Sequence, residues 1–466
     1  MVIYNDWMLL KNASYTADLS NGISGDISGC HLYVYLELKR SLLLTSINDE
    51  RQKGLQIIEA FVDGIEKLAK SKKGEILEVQ DKIVHVFFPT NEENYSQILN
   101  FVKILDYVLE AKVRRLAGDN FIKLVYSASY GRTLFIKSES AQRDCSIISL
   151  SPAANIPAKH LWANIDAFTD STFLYCNSEL SRIEKQENLK SIVFEETSEN
   201  LKKFVLCNNR GMTVTAKVPD ANAPEYLQPT IKDPETVYAG CIRADMDGFT
   251  KRVQESFSGV SHEKLESLAN EFYKITLFAK EFCSSYRQDG FQIVQMNWAG
   301  DCFTALLTRK ISNDYQQDRK FLYAKFICDF ESAMKKQFPQ ISWSYSYAAG
   351  DIENAQKCNT MIARLRLNNN EHPCLIAFGT PIAISHQLLN KVNIEPSHGL
   401  LPTSDKEILI NELQKNLTPY GSGYPYWGFS VKSWNDSLFS RTIDPVISPL
   451  EYNGIKAPSP RPYYSK

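Results

Sequence analysis

Two aspartates in the second half of the chain have the residue type and setting needed to hold a divalent cation. Asp245 ends an apolar stretch, and Asp301 lies in Gly-Asp-Cys-Phe, a typical hairpin turn. Carboxylates are ligands that Mg²⁺ prefers, and Mg²⁺ keeps open positions for phosphate oxygens and water. The segment after Asp245 consists of Met246, Asp247, Gly248, Phe249 and Thr250. A glycine turn of this kind exposes backbone N–H groups that bind phosphate, although each fragment alone is also typical of a surface turn.

These residues act together only if a sheet positions them. Apolar periodicity in the second half predicts five elements in order. They are a strand from 241, a helix over 261–283, a hairpin of 291–296 and 302–308, a helix over 320–337, and a strand over 341–351. In a βαββ arrangement the first strand neighbours the hairpin, so we expect Asp245 and Asp301 to meet at one edge.

The first half repeats this order of elements. It reads as a strand over 30–38, a helix over 55–71, a hairpin around Gln80-Asp81, a helix over 97–117, and a strand ending at Gly131. Asp81 lies 220 positions before Asp301 (301 minus 81), and Gly131 lies 219 before Gly350 (350 minus 131). A tandem βαββαβ repeat is predicted; the alternative is one large α/β domain with alternating elements.

The repeat sets the predicted domain organisation. A Pro-rich stretch of few large apolar residues separates the halves and is interpreted as a linker. The predicted segments are an N-terminal extension 1–24, a first domain 25–208, the linker 209–237, a second domain 238–410 and a C-terminal extension 411–466.

Composition limits the classes of partner. The net charge of -2 and pI near 6.4 give no basic field for a long nucleic acid. The start lacks a signal-peptide pattern, and no run of about 18 apolar residues predicts a membrane span. The ten cysteines include no C-x-x-C pair, as expected for reduced thiols in a cytoplasmic protein.

The two aspartate motifs resemble those of the class III adenylyl/guanylyl cyclase catalytic domain. That family has D-x-x-G-F-T at a strand end, as at 245–250, and G-D-x-F in the hairpin, as at 300–303. Its third motif, G-P-A-V-N-x-A-x-R, is matched in the first half by 151–159, with Asn155 at the asparagine and Lys159 at the arginine position. The corresponding segment of the second half, 379–389, lacks both residues.

The resemblance implies an α+β fold of two tandem ferredoxin-like palm domains, packed head to tail as a pseudo-dimer. In the family, each site takes its metal aspartates from one domain and its asparagine and arginine from the other. Asp245 and Asp301 would bind two Mg²⁺ or Mn²⁺ ions, Asn155 would orient the ribose, and Lys159 would neutralise charge on the α-phosphate. The first strand, LYVYLELK, has no aspartate although Asp81 remains, so one composite site survives. A monomer with this internal pseudo-dimer, or a homodimer, would convert a nucleoside triphosphate to a 3′,5′-cyclic nucleotide and pyrophosphate.

The base is read in this family by two positions, one four before the hairpin aspartate and one seven before the asparagine. Lysine at the first implies adenine, and glutamate implies guanine. Counted from Asp81 and Asn155, the positions are Leu77 and Ile148, which cannot hydrogen-bond a purine edge. This favours a pyrimidine and resembles the bacterial cyclases that make cyclic CMP or UMP as second messengers in anti-phage defence. Glu75 and Glu78 lie close enough for a small error of register to change this interpretation.

Other interpretations stay open. Asn155 and Lys159 are also typical of a helix cap and a solvated face. The pocket could belong to a catalytically degenerate nucleotide-binding sensor, or to a relative of diguanylate cyclases or polymerases. Arg364 and Arg366 are interpreted as exposed residues on a helix face rather than phosphate ligands.

Overall fold

The structure is a computed structural model. The residues it describes are 13, 15–19, 22–40, 42–45, 47–90, 95–138, 147–164, 171–175, 192–198, 201–206, 230–257, 262–288, 291–309, 322–349, 359–367, 374–391, 396–402, 409, 411–420, 426–439, 451–452 and 455–456. The chain divides into two compact units. One contains Met1–Pro234, Val253–Ala269 and Ala363–Ile376; the other contains Glu235–Arg252, Asn270–Ile362 and Ala377–Lys466.

The first sheet is built from residues of the first half, with strand order β3-β4-β2-β5-β7-β9-β8. Its strands are β1 (Tyr15–Leu19), β2 (Gly22–Leu38), β3 (Glu75–Gln80), β4 (Ile83–Pro89), β5 (Phe121–Ser138), β6 (Ile147–Leu150), β7 (Thr172–Tyr175), β8 (Ile192–Ser198) and β9 (Leu201–Leu206). The helices of this half are α1 (Asn48–Ser71), α2 (Tyr95–Ala117) and α3 (Pro152–Asn164).

The second sheet has the order β11-β12-β13-β10-β14-β17-β19-β18. Its half contains the strands β10 (Thr230–Met246), β11 (Arg287–Gln288), β12 (Phe291–Ala299), β13 (Cys302–Arg309), β14 (Trp343–Ala348), β15 (Thr360–Arg366), β16 (Cys374–Gly379), β17 (His398–Pro402), β18 (Thr418–Tyr420), β19 (Tyr426–Ser430), β20 (Glu451–Tyr452) and β21 (Ile455–Lys456). The helices are α4 (Phe249–Phe257), α5 (His262–Ser285), α6 (Leu322–Gln337), α7 (Thr380–Lys391), α8 (Asn411–Gln414) and α9 (Val431–Phe439).

The two sheets have the same topology. Taken in chain order, the four central strands of each lie as 2-3-1-4, which is the ferredoxin-like arrangement. In both, the fourth strand pairs in parallel with the next strand outward, β5 with β7 and β14 with β17. An antiparallel pair, β9–β8 or β19–β18, then completes the sheet. The predicted α+β class with two palm-type repeats is confirmed.

Alternation along β2 separates two faces of the first sheet. Leu32, Val34 and Leu36 are fully buried on one face. Tyr33 and Tyr35 alternate with them and pack with Leu161 of α3 on the other. Burial of such side chains stabilises each by roughly 1.5–3 kcal/mol relative to exposure. Helix α3, which carries the candidate residues Asn155 and Lys159, therefore packs on the second face.

The predicted end of the fourth strand of the first half was wrong. Strand β5 does not end at Gly131 but continues to Ser138. Gly131 pairs with Gly29, and a Cβ at Gly131 would lie 2.6 Å from the Cβ of Ala153 in α3. The glycine therefore makes room for a helix and does not stop the strand. Its predicted counterpart Gly350 lies outside the described residues.

Two further elements differ from the prediction. Arg364 and Arg366 are exposed as expected, but they lie on strand β15 and not on a helix. Their alternation with buried Ala363 and Leu365 has the period of a strand. The second sheet also continues through β19 to Ser430, beyond residue 410 where the sequence analysis placed the end of the second domain. Among the described residues, no helix is long and apolar enough to cross a membrane.

Candidate functional site

Asp245 and Asp301 lie close together at one end of the central strands β10 and β13 of the second sheet. Asp245 pairs with Cys302 on β13 and with Ser344 on β14, so its neighbour across the first pair is the residue directly after Asp301. The Met246 N–H donates to the backbone oxygen of Asp301 at 3.3 Å. The Thr250 hydroxyl donates to Oδ2 of Asp301, also at 3.3 Å. The structure thus brings the two carboxylates and the start of α4 to one place.

A tight turn joins β10 to helix α4 at this edge. Gly248 is exposed and has a φ of 70°, a left-handed conformation that side chains disfavour. Phe249 begins the helix and is 2 % exposed, with its ring 5.0 Å from that of Phe272. This contact anchors the first turn of α4, whose N–H groups have no partner within the helix and can bind anions. The N–H groups of 248–250 can therefore bind an anion. The prediction was wrong for Met246 and Asp247, whose N–H groups donate to the oxygens of Asp301 and Ser342.

Asp247 faces away from this turn toward β14. Its N–H donates to the oxygen of Ser342 at 3.0 Å, and the Ser344 hydroxyl donates to its Oδ1. Burial raises the pKa of Asp247; hydrogen bonds from Ser344 and Ser342 oppose this, while the charge of Glu331 reinforces it. Asp247 therefore connects the turn to the start of strand β14 through hydrogen bonds.

The donor set at this edge fits a hard divalent cation. It offers two carboxylates, and the described residues contain no group of three or more His, Cys, Asp or Glu that could hold a metal. Mg²⁺ is usually held by one or two carboxylates together with phosphate oxygens and water. A structural zinc site, with four protein ligands, is not formed by the described residues.

The hairpins of the two halves have the same register, which corrects the sequence alignment. Each has a bulge, between Ile76 and Glu78 in one and between Gln295 and Asn297 in the other. Each first turn residue has a positive φ, 50° at Asp81 and 61° at Gly300. Asp81 therefore corresponds to Gly300, and the residue that corresponds to Asp301 is Lys82.

The strand before the hairpin follows the same register. Tyr35 pairs with Ile83 and Val125, as Asp245 pairs with Cys302 and Ser344. In the first half, Tyr35 and Lys82 thus occupy the positions of the two carboxylates. The Lys82 ammonium lies 5.4 Å from the centre of the Tyr35 ring, within cation–π range. A tyrosine and a lysine cannot bind a divalent cation.

A glycine turn like that at Gly248 is also missing from the corresponding position of the first half. Strand β2 runs on to Leu38, which corresponds in register to Gly248, and the next N–H, of Lys39, donates to the Asn120 oxygen at 2.8 Å. Because the strand continues here, no helix begins. The described residues of the first half thus offer neither the carboxylates nor the exposed N–H groups.

Helix α3 carries the other predicted site residues. Ser151 caps it by accepting the Ala153 N–H at 3.1 Å, and Pro152 is its first residue. Asn155 is half-buried. Lys159 follows it by four residues, so both lie on one face of the helix; the Lys159 side chain is outside the described part.

Pro157 lies in the second turn of α3, not the first, where a proline would be unremarkable. It lacks the N–H that would bond to the oxygen of Ala153. The Ser129 hydroxyl of β5 donates to that oxygen instead. The proline therefore ties α3 to the sheet and does not break the helix.

The register also moves the first predicted base-reading position. Leu77 is the bulged residue of β3 and is 1 % exposed. Four positions before Lys82 is Glu78, which corresponds to Asn297 and pairs with His85. Next to His85 lies Tyr33, whose ring stacks on it at 4.0 Å. The second position, Ile148, is buried on β6 opposite Ile136.

Comparison with known proteins bears on the fold. No protein-family model and no curated protein matches the chain. A solved class III adenylyl cyclase-like ATP-binding protein from Pseudomonas aeruginosa aligns over 89% of this chain and 91% of its own, with a TM-score of 0.57 and 12% identity. This chain has the class III cyclase fold.

Two other solved cyclases align with part of the chain. An adenylyl cyclase from P. aeruginosa covers 40% of this chain and 97% of its own, at 11% identity and a TM-score of 0.30. A guanylate cyclase domain from Catenaria anguillulae in complex with GTP covers 43% and 99%, at 12% identity and a TM-score of 0.28. TM-scores this low do not support a shared fold, so the assignment of the cyclase fold depends on the first comparison alone.

Proposed function

We propose that the chain is a nucleotide cyclase with one composite site, which converts a nucleoside triphosphate to a 3′,5′-cyclic nucleotide and pyrophosphate. In this proposal the second half supplies Asp245, Asp301 and the turn 246–250. The first half supplies Asn155 and Lys159 to the same nucleotide. The class III cyclase fold of the chain supports the proposal.

The observation that carries the proposal is the asymmetry between two halves of equal topology. At equivalent register positions the second half has two carboxylates, and the first has Tyr35 and Lys82. Conversely, α3 carries an asparagine and a lysine at positions where α7 has neither. Each half lacks what the other has, as expected if one site is built from both.

The chain's own residues would bind and orient the substrate. The N–H groups of 248–250, at the start of α4, would hold the triphosphate. The predicted N–H groups of Met246 and Asp247 are not among them, because they donate to backbone oxygens. Asn155 would hold the ribose by hydrogen bonds. A Mg²⁺ or Mn²⁺ pair bound by Asp245 and Asp301 would polarise the 3′-hydroxyl and neutralise phosphate charge.

The bond changes then balance without another reactant. The ribose 3′-oxygen attacks the α-phosphorus as the bond to pyrophosphate breaks, and the 3′-hydroxyl proton passes to solvent. Lys159 would stabilise charge on the α-phosphate as a point charge, without the two-pronged contact of arginine.

Glu78 is proposed as the residue that meets the base. A carboxylate accepts hydrogen bonds and donates none, so it suits the N1–H and N2–H₂ donors of guanine. The argument for a pyrimidine depended on Leu77 and Ile148; the hairpin register replaces Leu77 by Glu78, while Ile148 stays an apolar candidate. CTP remains the second candidate, because its N4–H₂ also donates to a carboxylate. A role in anti-phage signalling stays a prediction tied to a pyrimidine product.

Mass spectrometry of products tests this function. The full chain is incubated with Mn²⁺ and ATP, GTP, CTP or UTP in separate reactions, alongside Asp301→Asn. We expect a cyclic mononucleotide, preferentially from GTP, and a loss of at least about a hundredfold in the variant, because the carboxylate acts on the reacting oxygens. One triphosphate consumed per product distinguishes cyclisation from the dinucleotide linkage of diguanylate cyclases.

A nucleotide-binding sensor without turnover is the second candidate. It is favoured by lysine at position 159, and the Pseudomonas aeruginosa protein of similar fold is described as ATP-binding. Under this alternative, nucleotide binds and is recovered unchanged from all four reactions.

A further inference from the structure

A buried cation lies beneath the two carboxylates of the second half. Arg243 is 1 % exposed, on strand β10 two residues before Asp245. Residues two apart on a strand share a face and lie about 7 Å apart. Across the sheet Arg243 pairs with Thr304 and Ser346, which are also buried. The guanidinium is too enclosed to contact a ligand in solvent.

The groups around Arg243 connect it to the carboxylate pair. Asp245 pairs with Cys302, the residue directly after Asp301, and Arg243 pairs with Thr304, two residues further along the same strand. Both carboxylates therefore lie within two or three residues of Arg243 or its cross-strand partner.

A neutral ring also lies close to the guanidinium. Burial lowers the pKa of His386, and the charge of Arg243 lowers it further. The imidazole therefore stays uncharged beside the arginine and does not compete with it as a cation.

The first half provides an internal comparison. The residue at the register position of Arg243 is Tyr33, which pairs with His85 and Ser127 as Arg243 pairs with Thr304 and Ser346. That half has no carboxylates at the equivalent edge. A cation is thus present at this position in the half that has the carboxylate pair and absent from the half that lacks it.

We propose that Arg243 is the resident counter-ion of Asp245 and Asp301, which holds the pair in place before a divalent cation binds and sets how tightly that cation is held. The inference rests on the proposed metal site. A buried cation is costly without an opposite charge, and two adjacent carboxylates repel each other without a cation. The same positive charge repels an incoming divalent ion.

Mn²⁺ binding without nucleotide tests the inference. Free Mn²⁺ is measured by electron paramagnetic resonance at fixed ionic strength, with the full chain and the variants Arg243→Met, Arg243→Lys and Thr304→Val. We expect Arg243→Met to bind Mn²⁺ roughly tenfold more tightly than the original protein, because a buried like charge on the same face of the strand is removed. Arg243→Lys keeps the charge, and Thr304→Val removes a neighbouring buried hydroxyl without changing charge, so both should stay within about twofold.

Thermal unfolding supplies a second readout that is independent of turnover. With a chelator present, Arg243→Met should unfold at a lower temperature than the original protein, and saturating Mn²⁺ should remove most of that difference. A variant that simply packs badly would keep its deficit in Mn²⁺.

The outcomes separate this inference from the proposed function. If the original protein binds Mn²⁺ and Arg243→Met binds it no more tightly, the counter-ion role is wrong while the metal site stands. If neither protein binds Mn²⁺, with or without triphosphate, the proposed metal site itself is wrong.

Discussion

Asp247 is a single residue that can serve the candidate site without touching the ligand. Its N–H and its Oδ1 are both engaged by residues at the start of β14, so it holds the turn that precedes α4. In the proposed function, the N–H groups that follow this turn bind phosphate. Loss of this tie should therefore weaken substrate binding more than it slows the chemical step.

The prediction is a selective loss of affinity in Asp247→Ala. We expect Kd for the triphosphate to rise roughly tenfold, because the variant loses a hydrogen bond to a charged group, and we expect little change in kcat. Ser344→Ala should have a similar effect, because it removes the donor. Asp247→Asn keeps an acceptor and should restore most of the affinity; an Asn variant as weak as the Ala variant would mean that the charge matters and not the tie.

At this scale the sequence indicated some residues and missed others. Asp245 and Asp301 were found because each stands in a short motif with a glycine beside it. Arg243 was missed, although a charged residue inside the apolar stretch CIRADM is a readable signal of a buried cation. The sequence analysis aligned Asp81 with Asp301 because both are aspartates in a hairpin turn. Residue type alone does not show which position of the turn a residue occupies, and the alignment was wrong by one residue.

The two hairpins show which features of secondary structure could be predicted from the sequence. Their strands were predicted from alternation, since buried and exposed positions have a period of two. Their bulges were not predicted, because one extra residue on a strand leaves the apolar alternation compatible with two pairings of the strands. One residue of shift moved the base-reading position from Leu77 to Glu78. Helix α4 was also not predicted, because nine residues directly after a glycine turn give too few periods.

A buried histidine pair on the first sheet makes its strands sensitive to acid. His31 Nδ1 lies 2.9 Å from His85 Nε2, and His31 Nε2 lies 2.7 Å from the Thr133 hydroxyl. Burial lowers the pKa of His31 to about 3. Burial also lowers the pKa of His85, and His31 lowers it further. Both rings are therefore neutral in the folded chain at pH 7.

The free energy of unfolding should fall as the pH falls below 6.5. An unfolded histidine binds a proton near pH 6.5, whereas the folded His31 does so only near pH 3, so the unfolded state gains protons between these values. Each ring contributes a slope of about 1.4 kcal/mol per pH unit in this window. Urea unfolding at pH 7.5, 6 and 5 measures it.

A variant with one ring removed isolates the contribution of the pair. His85→Gln should have a shallower slope than the original protein, and the exposed His262→Gln should not. Comparison of slopes also cancels Asp106, whose pKa burial raises to about 7 and which acts in the opposite direction. Equal slopes for the original protein and His85→Gln would contradict the account.

The described parts of the two halves repeat one order of central strands and differ in the residues at equivalent positions. The order of elements revealed the repeat, because apolar periodicity survives even where motifs do not. The outer strands β7–β9 and β17–β19 extend it beyond the predicted βαββαβ unit. They were not predicted, because short strands near long loops have weak periodicity. What the halves contribute to one nucleotide stays a proposal, carried by the exchange of Tyr35 and Lys82 for two carboxylates.

Metal-dependent binding of a triphosphate to a matched pair of variants tests the central claim most directly. Asp301→Asn and Asp81→Asn change an aspartate in the same hairpin turn of each half, and both asparagines suit their backbone. Affinity for a non-cyclisable triphosphate analogue is measured by calorimetry with Mn²⁺ and with chelator. We expect one site per chain, a Mn²⁺-dependent gain in affinity that is lost in Asp301→Asn, and no change in Asp81→Asn. Two sites per chain, or an equal loss in both variants, would contradict a single metal-binding half.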